Sequence, residues 1–226
     1  MRFLKAKLSN PLIDKRLAAM KIIEPSFEII SPLEPESMLA RLERAGRTCY
    51  RSEARITPDS AEAFIRSIIK SGHHSVIEHE SISVRLVCDR GVTHELVRHR
   101  LAAFSQESTR YVNYGRGPEG RGLVLIKPLF FEEGSEKYRL WLEAMEAAER
   151  LYLSLLEAGA TAQEARTVLP NSLKTEIVMT ANLREWRHVL TLRCASGSHP
   201  QMREIMKMVG ARFQELLPAV FGDLKV

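Results

Sequence analysis

The chain has 226 residues, of which 45% are hydrophobic and 27% charged, and a formal net charge of +5. That is material for one soluble globular domain, or at most two, with a real core, and no window approaches the roughly eighteen apolar residues of a membrane span. Cys49, Cys88 and Cys194 are odd in number and far apart, which excludes a disulfide framework and a zinc pattern and points to a reducing cytoplasm.

The first nineteen residues, MRFLKAKLSNPLIDKRLAA, hold Arg2, Lys5, Lys7, Lys15 and Arg16 against Asp14 alone, so nearly all the excess charge lies there. This leader lacks an apolar run long enough for a secretory signal, and its single serine suits a transit peptide poorly. It is read as a basic extension, residues 1–19, with one folded domain over residues 20–226 that opens on MKIIEPSFEII. The net charge is then weak grounds for nucleic-acid binding. Residues 57–72, TPDSAEAFIRSIIKSG, predict a helix. Thr57 or Asp59 can cap it, Pro58 suits its start, Gly72 can end it, and Ala61, Phe64, Ile65, Ile68 and Ile69 form its apolar face. From 80 to 88 the period changes to two: Ile82, Val84, Leu86 and Cys88 alternate with Ser81, Ser83, Arg85 and Val87, a half-buried strand. A break at Gly91 precedes VTHELVRHR, read as a short helix, and LVLIK at 123–127 predicts a strand.

Residues 133–158 predict a long amphipathic helix ended by Gly159, with Leu140, Trp141, Met145, Ala148, Leu151, Tyr152 and Leu155 on its apolar face. TAQEARTVLP predicts a second helix stopped at Pro170, LKTEIVMTANL a strand, REWRHVLTLRCA a helix, and HPQMREIMKMVGARFQELLPAVF a terminal helix. Helices and strands mix without a regular βαβ alternation, so the expected fold class is α+β, with a mostly antiparallel sheet and flanking helices.

Three groups of residues and one lone cysteine carry candidate chemistry. HELVRH at 94–99 imitates a zinc-protease helix, but His94 and His99 are five apart. That places them about 140° from eclipsed, against about 40° for the metal-binding spacing of four, so one regular helix cannot aim both at one ion. GHHSVIEH at 72–79 offers His73, His74, His79 and Glu78, which can cap the preceding helix or hold a polar ligand. Cys194 follows Arg193, whose charge could favour a thiolate, but it falls in an apolar helical pattern that suits the core. The third group is arginine-rich. RHRLAAFSQESTRY, residues 98–111, sets Arg98, His99, Arg100 and Arg110 beside Ser, Gln and Glu, and Arg166, Arg184, Arg187 and Arg193 follow. Guanidinium forks match phosphates and carboxamides read neutral ring edges. With Glu95, Glu107 and Glu119 interspersed, a small phosphate-bearing ligand fits better than a polymer.

The 98–111 stretch resembles flavin-dependent thymidylate synthases, whose hallmark is Arg-His-Arg, seven residues, then Ser. Here that is Arg98-His99-Arg100, LAAFSQE and Ser108, with Arg110 and Tyr111 matching its extension. GHHSVIEH resembles the family's Gly-His-x-Ser/Thr segment. EARTVLP, ANLREWRHVLTLR and SHPQ resemble its C-terminal half in order, so the likeness spans roughly residues 30–215. The resemblance implies an enzyme that methylates dUMP to dTMP, with 5,10-methylenetetrahydrofolate as carbon donor and FAD, reduced by NADPH, as hydride carrier. It implies a homotetramer with sites shared between subunits, and no partner among nucleic acids or membranes. By the same resemblance FAD is held by Arg98, His99, Arg100, Gln106, Asn182, Arg184, His188 and His199, with His73 and Ser75 from a neighbouring subunit. The dUMP site takes Glu95, Arg98, Gln106, Glu107, Ser108, Arg110 and Arg166, and Arg193 is the catalytic residue, set against the uracil ring. Gln106 stands where many relatives carry a carboxylate; it can hydrogen-bond a ring edge but cannot act as a base. A catalytically idle flavin- or nucleotide-binding relative is therefore the alternative, with a nucleic-acid-binding protein behind it.

Overall fold

The structure, a computed structural model, describes residues 20–116 and 122–226, so the basic leader lies outside the described residues. In chain order the strands are β1 (Lys21–Ile23), β2 (Ser26–Ile29), β3 (Ser81–Asp89), β4 (Ala102–Gln106), β5 (Val124–Ile126) and β6 (Lys174–Asn182). The helices are α1 (Pro35–Thr48), α2 (Ser60–Lys70), α3 (Arg90–Leu96), α4 (Glu136–Glu157), α5 (Ala162–Ala165), α6 (Leu183–Arg193), α7 (Pro200–Leu216) and α8 (Pro218–Phe221). Four strands form an antiparallel sheet in the order β2–β3–β6–β4, and β1 pairs with β5 in parallel. The α+β expectation with a mostly antiparallel sheet holds.

The sheet is organised by the alternation in β3. Its whole length pairs with β6, from Ser81 opposite Asn182 to Asp89 opposite Lys174. Ile82, Val84, Leu86 and Cys88, with Ile177, Met179 and Ala181 of β6, are buried in one core shared with residues of α1, α2, α6, α7 and α8. Each large aliphatic chain so buried contributes about 1.5–3 kcal/mol. The other face is polar: Ser83 and Thr180 hydroxyls bond at 2.7 Å, and Arg85 pairs with Glu176 and Glu28. A sheet with one packed and one polar face reads as alternation in sequence, which is why β3 was legible.

Helix α6 locks the core to the sheet. Trp186 is fully buried, donates its indole N–H to the Ile82 carbonyl at 2.9 Å, and meets Phe213 of α7 edge-on. Arg187, one of the arginines in the arginine-rich group, is tied to Asp223 and the Val220 carbonyl and fastens the C-terminal segment. A second, smaller core lies under α4, where Met145, Tyr152 and Leu153 pack with Tyr114, Leu123, Leu125, Ala165 and Leu173.

Several elements differ from the sequence expectation. Helix α3 stops at Leu96, and Gly91 lies inside it rather than before it. Arg98, His99 and Arg100 therefore occupy the turn into β4, a strand too short to announce itself. The helix expected over 161–170 is a single α turn, boxed by Thr161 and Glu164, followed by a 3-10 turn. Gly159 ends α4 with a φ of 94°, as expected, but Leu140 and Leu151 face outward, each 52% exposed. The terminal helix is broken at Pro218, which lacks the N–H a continuous helix needs. Helix α1 carried no sequence expectation; its Gly46 lets α2 approach so closely that an added Cβ would sit 2.7 Å from the Phe64 ring.

Candidate active site

The arginine-histidine-arginine segment is positioned from both ends. Upstream, the buried Asp89 caps α3 by accepting from the Val92 N–H and also accepts from the Gln201 amide. Burial pushes the Asp89 carboxyl up from the usual carboxylate range. Downstream, β4 pairs with β6, Ala102 opposite Ala181 and Gln106 opposite Ile177. The turn between them points His99 inward, where it is 5% exposed, and leaves Arg98 and Arg100 exposed on either side. Neither arginine has a side-chain hydrogen bond or ion pair among the described residues.

Opposite His99 lies one face of α6. Asn182 caps that helix through its Oδ1, which accepts from the Glu185 N–H at 2.9 Å. Glu185, His188 and Arg193 then recur at helical spacing toward His99. Arg193 Nε donates to His99 Nε2 at 3.0 Å, and His99 Nδ1 lies 3.4 Å from Glu185 Oε1. The His188 ring stands edge-on to His99, with centroids 5.6 Å apart. Burial first, then the charges of Arg193 and His188, lower the His99 pKa to about 4, so this imidazole is neutral at pH 7. Arg193 is held from its far side by Glu95, through Nη1 to the carboxylate at 2.8 Å and Nη2 to the carbonyl at 3.0 Å. Each terminal nitrogen of Arg193 keeps one further N–H. Arg98, His99, Arg100, Leu101, His188, Leu192 and Arg193 line a cleft of about 260 Å³ with Glu185 at its base.

The ligand atoms of His99, Glu185 and His188 lie within 4.8 Å of one another. His99 Nε2 already accepts an Arg193 N–H, so a cationic guanidinium lies beside these three groups.

The residues expected around a nucleotide form a second group. Gln106 donates to Thr93 Oγ1 at 2.9 Å and Thr175 Oγ1 at 3.3 Å. Ser108 Oγ accepts from the Arg110 N–H, Arg166 donates to the buried Thr109 hydroxyl at 3.4 Å, and Arg110 extends outward over Tyr111. Glu107 has both carboxylate oxygens engaged within the chain, by the Tyr114 hydroxyl at 2.6 Å and by Lys174 at 3.3 Å. Burial, with Glu107 alongside, pushes the Tyr114 phenol well above its usual range.

Other expected positions stand apart from His99. His73 and Ser75 are exposed at the start of a 3-10 turn that Arg184 ties to α6 through Glu78 at 2.7 Å. His199 precedes α7 and meets Phe130, at 6.0 Å between centroids. No hydrogen bond, ion pair or ring contact joins His73, Ser75 or His199 to the His99 cluster among the described residues. Sequence reasoning missed Glu185, Tyr114 and Lys174. Glu185 could have been found, because it lies one helical turn before His188 on the same face of the predicted helix.

The family model described as thymidylate synthase complementing protein matches residues 34–219. A flavin-dependent thymidylate synthase of Mycobacterium tuberculosis is 36% identical over 205 residues, 83% of this chain and 80% of the relative. One from Mycobacteroides abscessus is 34% identical over the same length and shares. The chain belongs to this thymidylate synthase complementing family. Its fold is shared with the crystal structure of the UMP/dUMP methylase PolB from Streptomyces cacaoi bound with 5-Br dUMP. The TM-score is 0.73 at 24% identity, covering 90% of this chain and 96% of that one.

Proposed function

We propose that the protein is a flavin-dependent thymidylate synthase that methylates dUMP to dTMP, with 5,10-methylenetetrahydrofolate as carbon donor and NADPH as reductant. Family membership supplies the reaction class, and one observation ties it to this chain: two guanidiniums with no side-chain partner among the described residues, Arg98 and Arg100, flank a neutral imidazole in the cleft that also holds Arg193. Such guanidiniums beside an uncharged ring fit the pyrophosphate and ring of FAD. The chemistry a bound flavin supplies is the two-electron reduction that completes the new methyl group.

The chain's own residues bind and orient. Arg193, braced by His99 and Glu95, directs its remaining N–H groups at the uracil edge and stabilises negative charge developing on the pyrimidine. Arg110 and Arg166, beside Ser108 and Thr109, supply the charge for the nucleotide phosphate, each well-formed charged contact contributing about 1.5–3 kcal/mol. Gln106 positions by hydrogen bonding alone. Glu95 holds Arg193, and Glu107 braces the turn through Tyr114 and Lys174.

A single chain's cleft of about 260 Å³ is small for a dinucleotide, since drug-sized ligands already use pockets of about 300–1,000 Å³. Val97, Leu101 and Leu192, 41%, 76% and 47% exposed, lie in or next to that cleft. These facts support sites completed by neighbouring copies, in the homotetramer that the family resemblance implies, with His73 and Ser75 crossing from another subunit and Asn182, Arg184, His188 and His199 contributing from their own. The working unit is residues 20–226, acting in the cytoplasm without nucleic acid or membrane; no helix among the described residues is long and apolar enough to cross a bilayer.

The test is the visible spectrum of the purified protein after incubation with FAD and dialysis. Retained flavin bands that shift when dUMP is added support one pocket for both ligands. Protein that stays colourless contradicts the proposal.

A further inference from the structure

The cleft contains one buried acid to which the reading above gives no task. Glu185 is 6% exposed, anchored by its backbone N–H to the Asn182 cap, and its carboxylate faces His99 Nδ1. We propose that Glu185 is a positioning residue for Arg193: by accepting the Nδ1 proton of His99 it leaves Nε2 free to accept from Arg193 Nε, and so sets the plane of the guanidinium that faces uracil. This rests on the dUMP-methylating reading of the site.

An arginine N–H can only donate, and a guanidinium is not deprotonated in proteins. His99 Nε2, 3.0 Å from Arg193 Nε, must therefore present its lone pair. A neutral imidazole with a bare Nε2 carries its proton on Nδ1, and the carboxylate facing that end is Glu185, its Oε1 3.4 Å from Nδ1. If the proton moved to Nε2, two donors would face each other and Arg193 would keep only its contacts to Glu95. The charged and titratable groups around His99 are Glu185, His188 and Arg193 from α6, Glu95 from α3 behind Arg193, and the flanking Arg98 and Arg100. Burial and the neighbouring Arg193 keep His99 uncharged at neutral pH, so what Glu185 selects is the tautomer. The arrangement parallels metal sites, where the group bonded to the far nitrogen of a histidine decides which face the near nitrogen offers.

Two variants separate this role from simple packing. Glu185→Gln keeps an oxygen that accepts from Nδ1–H, whereas Glu185→Leu fills the space with no acceptor. In flavin-loaded protein, Glu185→Leu should raise the Kd and KM for dUMP by about tenfold, the scale of losing one charge-assisted bond. Glu185→Gln should stay within about threefold of the parent. Solid-state nitrogen-15 spectra of histidine-labelled protein read the tautomer directly, with the His99 signals identified by their loss in His99→Asn. The parent and Glu185→Gln should show Nδ1 protonated and Glu185→Leu should show Nε2 protonated. Parent-like dUMP binding by Glu185→Leu, an equal loss in Glu185→Gln, or a parent His99 protonated on Nε2 would overturn the proposal. If Glu185→Leu does not fold, the parent spectrum and Glu185→Gln decide. A parent that binds flavin but forms no dTMP contradicts the reaction assignment instead, and the spectra still decide the tautomer.

Discussion

Replacing His99 by glutamine should flatten the acid side of the protein's stability curve. His99 is 5% exposed, and its pKa is lowered from 6.5 to about 4, chiefly by burial and then by Arg193 and His188. Between those values the unfolded chain binds more protons than the folded one, so stability rises with pH across the window. The contribution is complete above about pH 6.5, declines as pH falls, and is exhausted below about pH 4. A gap of about two and a half pH units, at about 1.4 kcal/mol each, is about 3 kcal/mol. That is a sizeable share of the roughly 5–15 kcal/mol that holds a domain folded. Glutamine retains an acceptor for Arg193 and has no proton to gain. The buried carboxyls Asp89, Glu149 and Glu204 are pushed up by burial and have the opposite sign, but both proteins share them, so they cancel in the comparison. Urea unfolding at pH 7 and pH 4, at one protein concentration, measures the difference. The parent should lose about 3 kcal/mol more than His99→Gln. Parallel losses in the two proteins would refute the argument that His99 is held neutral by its surroundings.

Arg193→Ala should lower turnover by at least about tenfold with the fold intact, because the cation at the pyrimidine is removed; steady-state dTMP formation with a circular dichroism control checks this. A protein in which all three cysteines become alanine should still bind flavin and turn over. Cys88 and Cys194 are buried with thiols pushed up by burial, so neither supplies a thiolate at neutral pH. A folded, flavin-bound but inactive triple variant would point to thiolate addition. Arg187→Ala should cost about 2 kcal/mol in urea unfolding, a figure reduced because Asp223 is itself about half exposed. It strips the Val220 carbonyl and Asp223 of their shared partner. A change below about 0.5 kcal/mol would show that the C-terminal segment is fastened by other contacts.

Legibility followed the reach of each interaction. Strand β3 and helix α2 stood out because their burial repeats every two residues or every helical turn, and Gly159 marked the end of α4 by its positive φ. Strand β4 did not: its half-buried and exposed positions alternate, but Ala-Ala-Phe-Ser-Gln does not alternate in polarity, and its pairing partner β6 lies far along the chain. The helix expected through Arg100 stops at Leu96, where burying His99 against α6 outweighs helical propensity. The candidate site residues come from a motif and not from physics. Motifs name residues without their states. His99 is neutral because it is buried and because the charge of Arg193, 94 positions away, lies beside it, and Glu107 is braced by Lys174, 67 positions away. No local period encodes either contact.

The most direct test of the central claim is tritium release from 5-tritiated dUMP, with dTMP quantified, in the presence of FAD, NADPH and 5,10-methylenetetrahydrofolate and with each omitted in turn. The predicted result is release matched by dTMP formation that fails when the folate or the reductant is withheld. Flavin-loaded protein that releases no tritium and forms no dTMP would contradict it and leave a nucleotide-binding protein without this chemistry.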